Sequence, residues 1–188
     1  MSESPRVRVL FDEASIARRN EEMARSVAAA EPNDFLVVAV LKGSFMFAAY
    51  LIRALHRAGL SPQVEFIHLS SYRKGTVSSG QVAILRDVES DVRGRDVLLV
   101  DDILESGRTV VFAKDLLMAR GAKRVLTAVL LEKPGKRAVS IDADLVGFTC
   151  PDVFVVGYGM DIAHSYRQLP FVGVVDHHDS EPDLFGGT

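Results

Sequence analysis

Apolar runs and amphipathic segments alternate through most of the chain. Apolar side chains at helical spacing predict a first helix over residues 13–30, which Pro32 ends. The uninterrupted apolar run FLVVAVL at 35–41 has strand length and is typical of a strand covered on both faces. A second helical face starts at Phe45 and ends at Gly59, a residue type that is common just after helix C-termini.

The same criteria predict further strands over 63–70, 82–85, 96–100 and 124–131, and a helix over 108–120 that Gly121 closes. The intervening segment YRKGTVSSG at 72–80 is polar and contains glycine, so we expect a mobile loop there. Strands that alternate with helices favour an α/β fold. We therefore predict a central, mostly parallel sheet flanked by helices.

The pattern changes after residue 132. The short β-like pieces LVGFTC, VFVVGYG and FVGVV follow one another without strong helices between them, which predicts a small hood over the end of the sheet. No repeat or linker divides the chain. We predict one domain over 1–176, with a hood contributed mainly by the N-terminal segment and residues 140–176. Residues 177–188 are expected to form a flexible tail, in which the pair His177-His178 is solvated rather than metal-binding.

Composition narrows the classes of function. The chain has 188 residues and 48% hydrophobic positions, which suits one domain with a real core. Its net charge of −3 provides no bulk attraction to nucleic acid, so no such partner is expected. The single cysteine, Cys150, fits a reducing compartment. With no signal-like apolar run and no membrane-length segment, a cytoplasmic protein without membrane contact is predicted.

The segment DVLLVDDILESGRTVV at 96–111 carries the clearest chemical pattern. A buried strand leads into Asp101 and Asp102, and a short loop at 105–109 then opens a helix. Ligands of open α/β sheets lie beyond the carboxyl ends of the strands, and a helix N-terminus offers backbone N–H groups to phosphate. The two carboxylates suit hydroxyl groups or hydrated magnesium. An ordinary strand–turn–helix junction with solvated acids is the alternative, and neither GxxxxGK[ST] nor GxGxxG occurs.

This segment resembles the signature with which type I phosphoribosyltransferases bind 5-phosphoribosyl-1-pyrophosphate (PRPP). Four further segments resemble the hypoxanthine-guanine branch of that family: VLKGSFMFAAYLIR (40–53), SSYRKGTVSSG (70–80), LLEKP (130–134) and PDVFVVGYGMDIAHSYRQLPFVGVV (151–175). The resemblance implies purine salvage, in which the phosphoribosyl group of PRPP passes to N9 of hypoxanthine or guanine. The products would be IMP or GMP and pyrophosphate. It also implies Mg²⁺ and a homodimer or homotetramer.

The resemblance assigns the central segment to the sugar and its 5′-phosphate. Asp101 and Asp102 would face the ribose hydroxyls, with indirect contact to the metal. The loop that holds the 5′-phosphate would comprise Glu105, Ser106, Gly107, Arg108 and Thr109. Glu105 would also act as the general base at purine N7. The family usually has aspartate at this position, so the carboxylate here has one methylene more of reach.

The resemblance places pyrophosphate between three parts of the chain. Lys42-Gly43 would bind it through backbone N–H groups, with the peptide between these two residues often cis, although an ordinary turn is the alternative. Ser71 and Tyr72 belong to the flexible catalytic loop. Asp161 would be a magnesium ligand and Arg167 would grip pyrophosphate, whereas on base rates both would be solvated surface residues. No role is assigned to His68, which stands where some relatives carry a basic residue near a subunit interface.

The resemblance assigns purine binding to three residues in the last two of these segments. Lys133 would donate to the 6-oxo group, which excludes adenine because its 6-amino group is also a donor. Phe154 would stack on the ring and the Val155 backbone would read its edge. Taken alone, Lys133 could extend to solvent and Phe154 could be core. Two rival functions also remain open: a transferase for another base, and a non-enzymatic regulator of this fold that binds RNA.

Overall fold

The computed structural model describes residues 7–74 and 77–175, with side chains outside 71–81. The side chains of Ser71 and Tyr72, and the predicted tail at 177–188, lie outside the described residues. Within this part of the chain the elements are β1 (Val7–Phe11), α1 (Glu13–Ala29), β2 (Leu36–Leu41), α2 (Phe45–Arg57), β3 (Gln63–Lys74), β4 (Val77–Arg86), β5 (Asp96–Leu104), α3 (Arg108–Ala119), β6 (Arg124–Glu132), β7 (Leu145–Thr149), β8 (Val155–Val156) and β9 (Val172–Val175). No helix among these residues is long and apolar enough to cross a membrane.

The main sheet has six strands in the order β4-β3-β2-β5-β6-β7. All neighbouring pairs are parallel except β3 and β4, which run antiparallel. Helices α1 and α2 cover one face, against side chains such as Val37 and Leu98, and α3 covers the other, against Val38 and Leu99. Because β2 and β5 are buried on both faces, their sequences are continuous apolar runs. The predicted mostly parallel α/β fold is confirmed.

A second sheet of three antiparallel strands, β1-β9-β8, forms the hood. The prediction that LVGFTC belongs to this hood was wrong, because Leu145–Thr149 pairs in parallel with β6 as the edge strand of the main sheet. The segment between β6 and β7 carries the chain from the carboxyl end of β6 back to the opposite end of the sheet without a helix, and the sequence pattern did not indicate such a crossover. Hood and edge strand touch where Phe11 stacks on Phe148, with ring centroids 4.4 Å apart.

Two boundaries also differ from the prediction. The segment 72–80 is not a loop throughout, because β3 continues to Lys74 and β4 begins at Val77, so its arms pair as a hairpin. Polar composition misled here, since backbone ladder bonds need no apolar side chains. Strand β5 continues through the acidic pair to Leu104 instead of ending at residue 100. The acids therefore sit on a fixed strand backbone rather than on a turn.

Candidate active site

A cavity of about 780 Å³ opens between the carboxyl ends of the central parallel strands and the hood. Its lining brings together residues that the sequence had singled out across its whole length: Lys42, Gly43, Asp102, Glu105, Lys133, Phe154, Val155, Asp161 and Arg167. Parallel strands explain this convergence, because each delivers its following residues to the same edge of the sheet. Predicted residues outside the lining are Asp101, which is buried, and Ser106–Thr109, which follow Glu105 directly.

The acidic pair lies at the end of β5. Asp101 is 6% exposed and its Oδ1 accepts a hydrogen bond from the Asp102 backbone N–H at 2.9 Å. Asp102 in turn accepts from the Ile103 N–H at 2.8 Å. Burial raises the pKa of Asp101 well above its usual range, and the neighbouring charge of Asp102 adds to this. Burial also raises the pKa of Asp102. The solvated-acid interpretation is wrong for Asp101, whereas Asp102 is half-buried at the cavity wall, where a carboxylate suits a polyhydroxyl or cationic ligand.

The turn after β2 packs directly against this pair. A Cβ atom at residue 43 would overlap the Asp102 carboxylate, coming within 2.6 Å of its Cγ, so any residue but glycine would displace that side chain. A Cβ at Gly159 in the hood would likewise overlap the Gly43 carbonyl oxygen. Two glycines thus let three chain segments meet at one wall of the cavity. The cis peptide precedes Lys42 and joins it to Leu41, so its expected place between Lys42 and Gly43 was wrong.

The loop after Glu105 leads into the N-terminus of α3, where the Arg108 N–H makes one long bond to Ser106 Oγ at 3.4 Å. Helix α3 is capped by Gly107 at φ 82°, with no side-chain hydrogen bond to the cap and no acidic residue in its first turn. By contrast, the Asp12 carboxylate caps α1 by accepting from the Ser15 N–H at 2.7 Å. The first backbone N–H groups of a helix have no partners within it, and they lie at the positive end of the dipole. The N-terminus of α3 is therefore available to an anion such as phosphate.

Two lysines share the Glu105 carboxylate at the other end of the cavity. Lys133 Nζ lies 3.8 Å and Lys136 Nζ 3.7 Å from Glu105 Oε1. The Lys133 side chain is only 8% exposed, so the interpretation that it extends to solvent is wrong. Burying an unpaired ammonium costs free energy, so the nearby Glu105 carboxylate stabilises Lys133 in its buried position. Lys136 also binds Asp152 at 2.6 Å, and this hydrogen bond raises the pKa of Lys136.

An aromatic ring faces the same end of the cavity. Phe154 is 58% exposed, so the alternative that it packs in the core is wrong. The neighbouring Val155 is buried and begins β8. A phenyl face that water can reach inside a cavity offers a stacking surface for a planar ligand. The buried lysine, the carboxylate and the ring together suit a flat heterocycle with an exocyclic acceptor.

The hood supplies a preformed polar turn to the opposite side. Arg167 binds Asp161 Oδ1 at 2.8 Å and donates to the Gly159 carbonyl oxygen at 2.6 Å. Asp161 Oδ2 accepts from the His164 backbone N–H at 2.7 Å. Both Asp161 and Arg167 are largely shielded, with about a quarter of each side chain exposed, so neither is an ordinary surface residue. A guanidinium beside a carboxylate at a cavity wall can exchange that partner for phosphate oxygens.

The donor set fits a magnesium ion. No group of three or more His, Cys, Asp or Glu residues in the described part of the chain forms a complete metal cage. Magnesium does not require one, because it often binds through one or two carboxylates, with waters and substrate phosphates completing six oxygens. Asp102 and Asp161 line the same cavity and supply carboxylates of this kind.

Sequence reasoning missed several residues near this site. Lys136 and Asp152 line the cavity, as does His164, whose backbone bonds to Asp161. Arg137 lies behind Glu105 and donates to its carbonyl oxygen at 2.8 Å. The basic pair Lys136-Arg137, placed just beyond the end of a buried strand, was a signal that could have identified two of them.

Comparisons with known proteins show the family of the chain. The phosphoribosyl transferase domain family matches residues 10–163. The hypoxanthine phosphoribosyltransferase of Escherichia coli K12 is 40% identical over 172 residues, which cover 90% of this chain and 95% of that protein. A hypoxanthine-guanine phosphoribosyltransferase of Streptococcus agalactiae is 40% identical, over a match that covers 93% of this chain and 96% of that protein. The bifunctional protein TilS/HprT of Listeria innocua is 44% identical over 169 residues, and the chain spans only 26% of its length.

Solved structures give the same result. The hypoxanthine phosphoribosyltransferase of Trypanosoma cruzi superposes with a TM-score of 0.86 at 36% identity, over 94% of each chain. That of Staphylococcus aureus superposes with a TM-score of 0.83 at 36% identity, over 89% of this chain and 90% of the other. Fold and sequence agree, and the chain belongs to the phosphoribosyl transferase family.

Proposed function

We propose that this chain is an enzyme of purine salvage that transfers the 5-phosphoribosyl group of PRPP to N9 of hypoxanthine or guanine. The products are IMP or GMP and pyrophosphate. One observation carries the proposal: the buried Lys133 ammonium lies 3.8 Å from the Glu105 carboxylate, in the cavity that Asp102 and the hood also line. A buried donor next to a carboxylate acceptor matches the O6 and N7–H edge of a 6-oxopurine. The names of the relatives support the same reaction.

The sugar phosphate occupies the β5 side of the cavity. Asp102 faces the ribose hydroxyls from the cavity wall, with the buried Asp101 behind it accepting its backbone N–H, and the N-terminus of α3 with its loop receives the 5′-phosphate. Pyrophosphate lies between the turn at Lys42-Gly43 and Arg167. Binding energy from these groups, remote from the reacting carbon, orients C1′ toward the base. In the reaction the N9 electron pair forms the new bond to C1′, and the bond from C1′ to pyrophosphate breaks with its electrons leaving on oxygen.

The base is selected and activated by the residues at the other end. Lys133 donates to the 6-oxo group, and adenine lacks that acceptor. Phe154 stacks on the ring while the Val155 backbone reads its edge. Glu105 accepts the N7 proton as N9 attacks, which is general-base catalysis. Two ammonium groups, those of Lys133 and Lys136, lie within 4 Å of this carboxylate and orient it beside the ring.

The proposal includes magnesium, closure of the segment around Ser71 and Tyr72, and an assembly. The carboxylate of Asp161, with the acidic pair in indirect contact, would hold Mg²⁺, which offsets the charge of the leaving pyrophosphate. Ser71 and Tyr72 are proposed to close over the site and exclude water from the reactive sugar. The protein is further proposed to be a cytoplasmic homodimer or homotetramer.

The proposal is tested by measuring pyrophosphate release from PRPP in the presence of hypoxanthine, guanine or xanthine. Turnover is expected with the first two bases, and excess EDTA should abolish it. Pyrophosphate release at the same rate with and without an added base, or release that persists in EDTA, would contradict the proposal. Turnover with xanthine alone would favour a transferase for another base. RNA binding without any turnover would favour a regulator instead.

A further inference from the structure

Arg137 lies directly behind the general base, in the segment that connects β6 to β7. Its side chain is 21% exposed. Its Nη1 donates to the carbonyl oxygens of Leu104 at 2.9 Å and Glu105 at 2.8 Å, and reaches that of Lys133 at 3.3 Å. One guanidinium nitrogen thus contacts the backbones of both groups that are proposed to act on the purine.

The remaining nitrogens hold the guanidinium itself in place. Nη2 binds the Glu132 carboxylate at 2.6 Å and Nε donates to the Ile141 carbonyl oxygen at 3.2 Å. Only a planar fork with several fixed donors can serve acceptors in this many directions. A lysine ammonium could reach one or two of them at a time, so the contact set is specific to arginine.

The position of Arg137 in the sheet explains why such a contact is needed. The ladder between β5 and β6 ends at the pair Leu104 and Glu132, followed by the bond from the Lys133 N–H to the Leu104 oxygen at 3.0 Å. Beyond that point the two strands have no further ladder pair, yet Glu105 and Lys133 come next. Arg137 links the backbones of Glu105 and Lys133 at the point where the ladder of hydrogen bonds between β5 and β6 has ended.

The residues after Arg137 extend this support to the phosphate side. The Ser106 carbonyl oxygen accepts from the backbone N–H groups of Ala138 at 2.9 Å and Val139 at 3.3 Å. A Cβ at Gly107 would overlap the Ile141 side chain, so this segment also packs beneath the cap of α3. The two bonds to Ser106 come from backbone N–H groups and do not involve the Arg137 side chain, which touches this segment only through its bond to the Ile141 carbonyl oxygen.

We propose that Arg137 is a positioning residue that fixes the Glu105 carboxylate relative to the Lys133 ammonium. It thereby sets both the rate of proton acceptance and the preference for a 6-oxo group. The inference rests on the proposed function. Its consequence is selective: loss of the guanidinium should disturb the purine end of the cavity, while the backbone contacts to Ser106 keep the phosphate end intact.

The test compares Arg137→Met and Arg137→Lys with a matched control, Arg19→Met. Arg19 also bonds backbone carbonyl oxygens in the main sheet, those of Gly147 at 3.0 Å and Val146 at 2.7 Å. It ties α1 to the edge strand β7 and does not line the cavity. Steady-state kinetics with hypoxanthine and adenine, a PRPP titration and thermal melts are measured for all variants.

Arg137→Met is expected to lower kcat/KM for hypoxanthine by about 10–100-fold, the loss that a displacement on the order of 1 Å can cause. The preference for hypoxanthine over adenine should shrink, and the affinity for PRPP should change by less than about threefold, which is less than half of a tenfold step in free energy. Arg137→Lys should lie between Arg137→Met and the unaltered protein. Millimolar guanidinium should restore part of the activity of Arg137→Met but not alter Arg19→Met, which should melt earlier with normal kinetics.

Normal kcat/KM and normal base preference in Arg137→Lys would overturn the inference, even if Arg137→Met proved too unstable to assay. Two other results would also overturn it, because each means general destabilisation. One is a loss of PRPP affinity in the Arg137 variants as large as their loss of kcat/KM for hypoxanthine. The other is a loss of kcat/KM in Arg19→Met as large as that in Arg137→Met. If the unaltered protein turned over no base at all, the proposed function would fail, and this inference with it.

Discussion

Replacing Gly43 with alanine tests whether the turn after β2 and the acidic pair act as one surface. Gly43 lies in a region of backbone space open to alanine, so the substitution adds one methyl group and no backbone strain. That methyl would come within 2.6 Å of Asp102 Cγ and overlap the carboxylate. Since carbon atoms normally approach to about 3.5–4.0 Å, the Asp102 side chain must move by about 1 Å.

The size of the kinetic effect follows from this displacement. A shift of about 1 Å in a group that positions substrate can cost about 100-fold in rate. Gly43→Ala is therefore expected to reduce kcat/KM for PRPP by on the order of 100-fold. The melting temperature should change little, because Asp102 lines an open cavity into which its side chain can turn. Initial rates at varied PRPP and a thermal melt measure both quantities.

Gly94→Ala is the matched control with the opposite signature. Gly94 has φ +72° with no atom within 4 Å of an added Cβ, so alanine there is strained but meets nothing. The strain costs about 1–2 kcal/mol, which lowers the melting temperature by roughly 2–8 °C in a protein of this size. Its kinetics should be normal. A normal kcat/KM in Gly43→Ala, or equal kinetic loss in Gly94→Ala, would refute the close contact between the turn and Asp102.

Three further predictions concern single side chains. Glu105→Gln should lower kcat by about 10²–10⁴-fold with PRPP affinity retained, whereas Glu105→Asp should stay active; a near-normal kcat in the first variant would refute the base assignment. Ala163→Gly should raise the free energy of unfolding by about 0.5–1 kcal/mol, because Ala163 has φ 47°, a left-handed conformation that glycine adopts without strain. A lower free energy of unfolding, measured by chemical denaturation, would contradict this. Burial raises the pKa of Asp101 above 3.8, so its contribution to stability is present below about pH 4 and is lost as pH rises through the folded pKa. Melts from pH 4 to 8 should therefore show Asp101→Asn gaining stability over the unaltered protein as pH rises, and a constant difference would count against the burial.

The parts of the fold that the sequence predicted are those where burial dictates composition. Strands β2 and β5 are covered on both faces, so their apolar runs left little ambiguity. The edge strand Leu145–Thr149 was misassigned because the sequence of a short strand does not indicate which strand it pairs with. The hairpin arms at Lys74 and Val77 were missed because backbone pairing leaves no signature in polar residues.

The candidate site divides in the same way. Residues such as Asp102 and Lys133 follow buried strands, and that position was readable from the chain. Their surroundings were not, since Lys133 and Phe154 each had a plausible structural alternative until burial was known. Arg137 could not be assigned from sequence because its contacts are with backbone carbonyl oxygens, which every residue possesses.

The ratio of kcat/KM for hypoxanthine to that for adenine, measured with PRPP and magnesium, tests the central claim most directly. A site built to hydrogen-bond one group can reject an analogue lacking it by about 10⁴–10⁵-fold. With the buried Lys133 donor in place, hypoxanthine should be turned over and adenine rejected by a factor on the order of 10⁴. Comparable rates with the two bases would contradict the account of how this cavity recognises its purine.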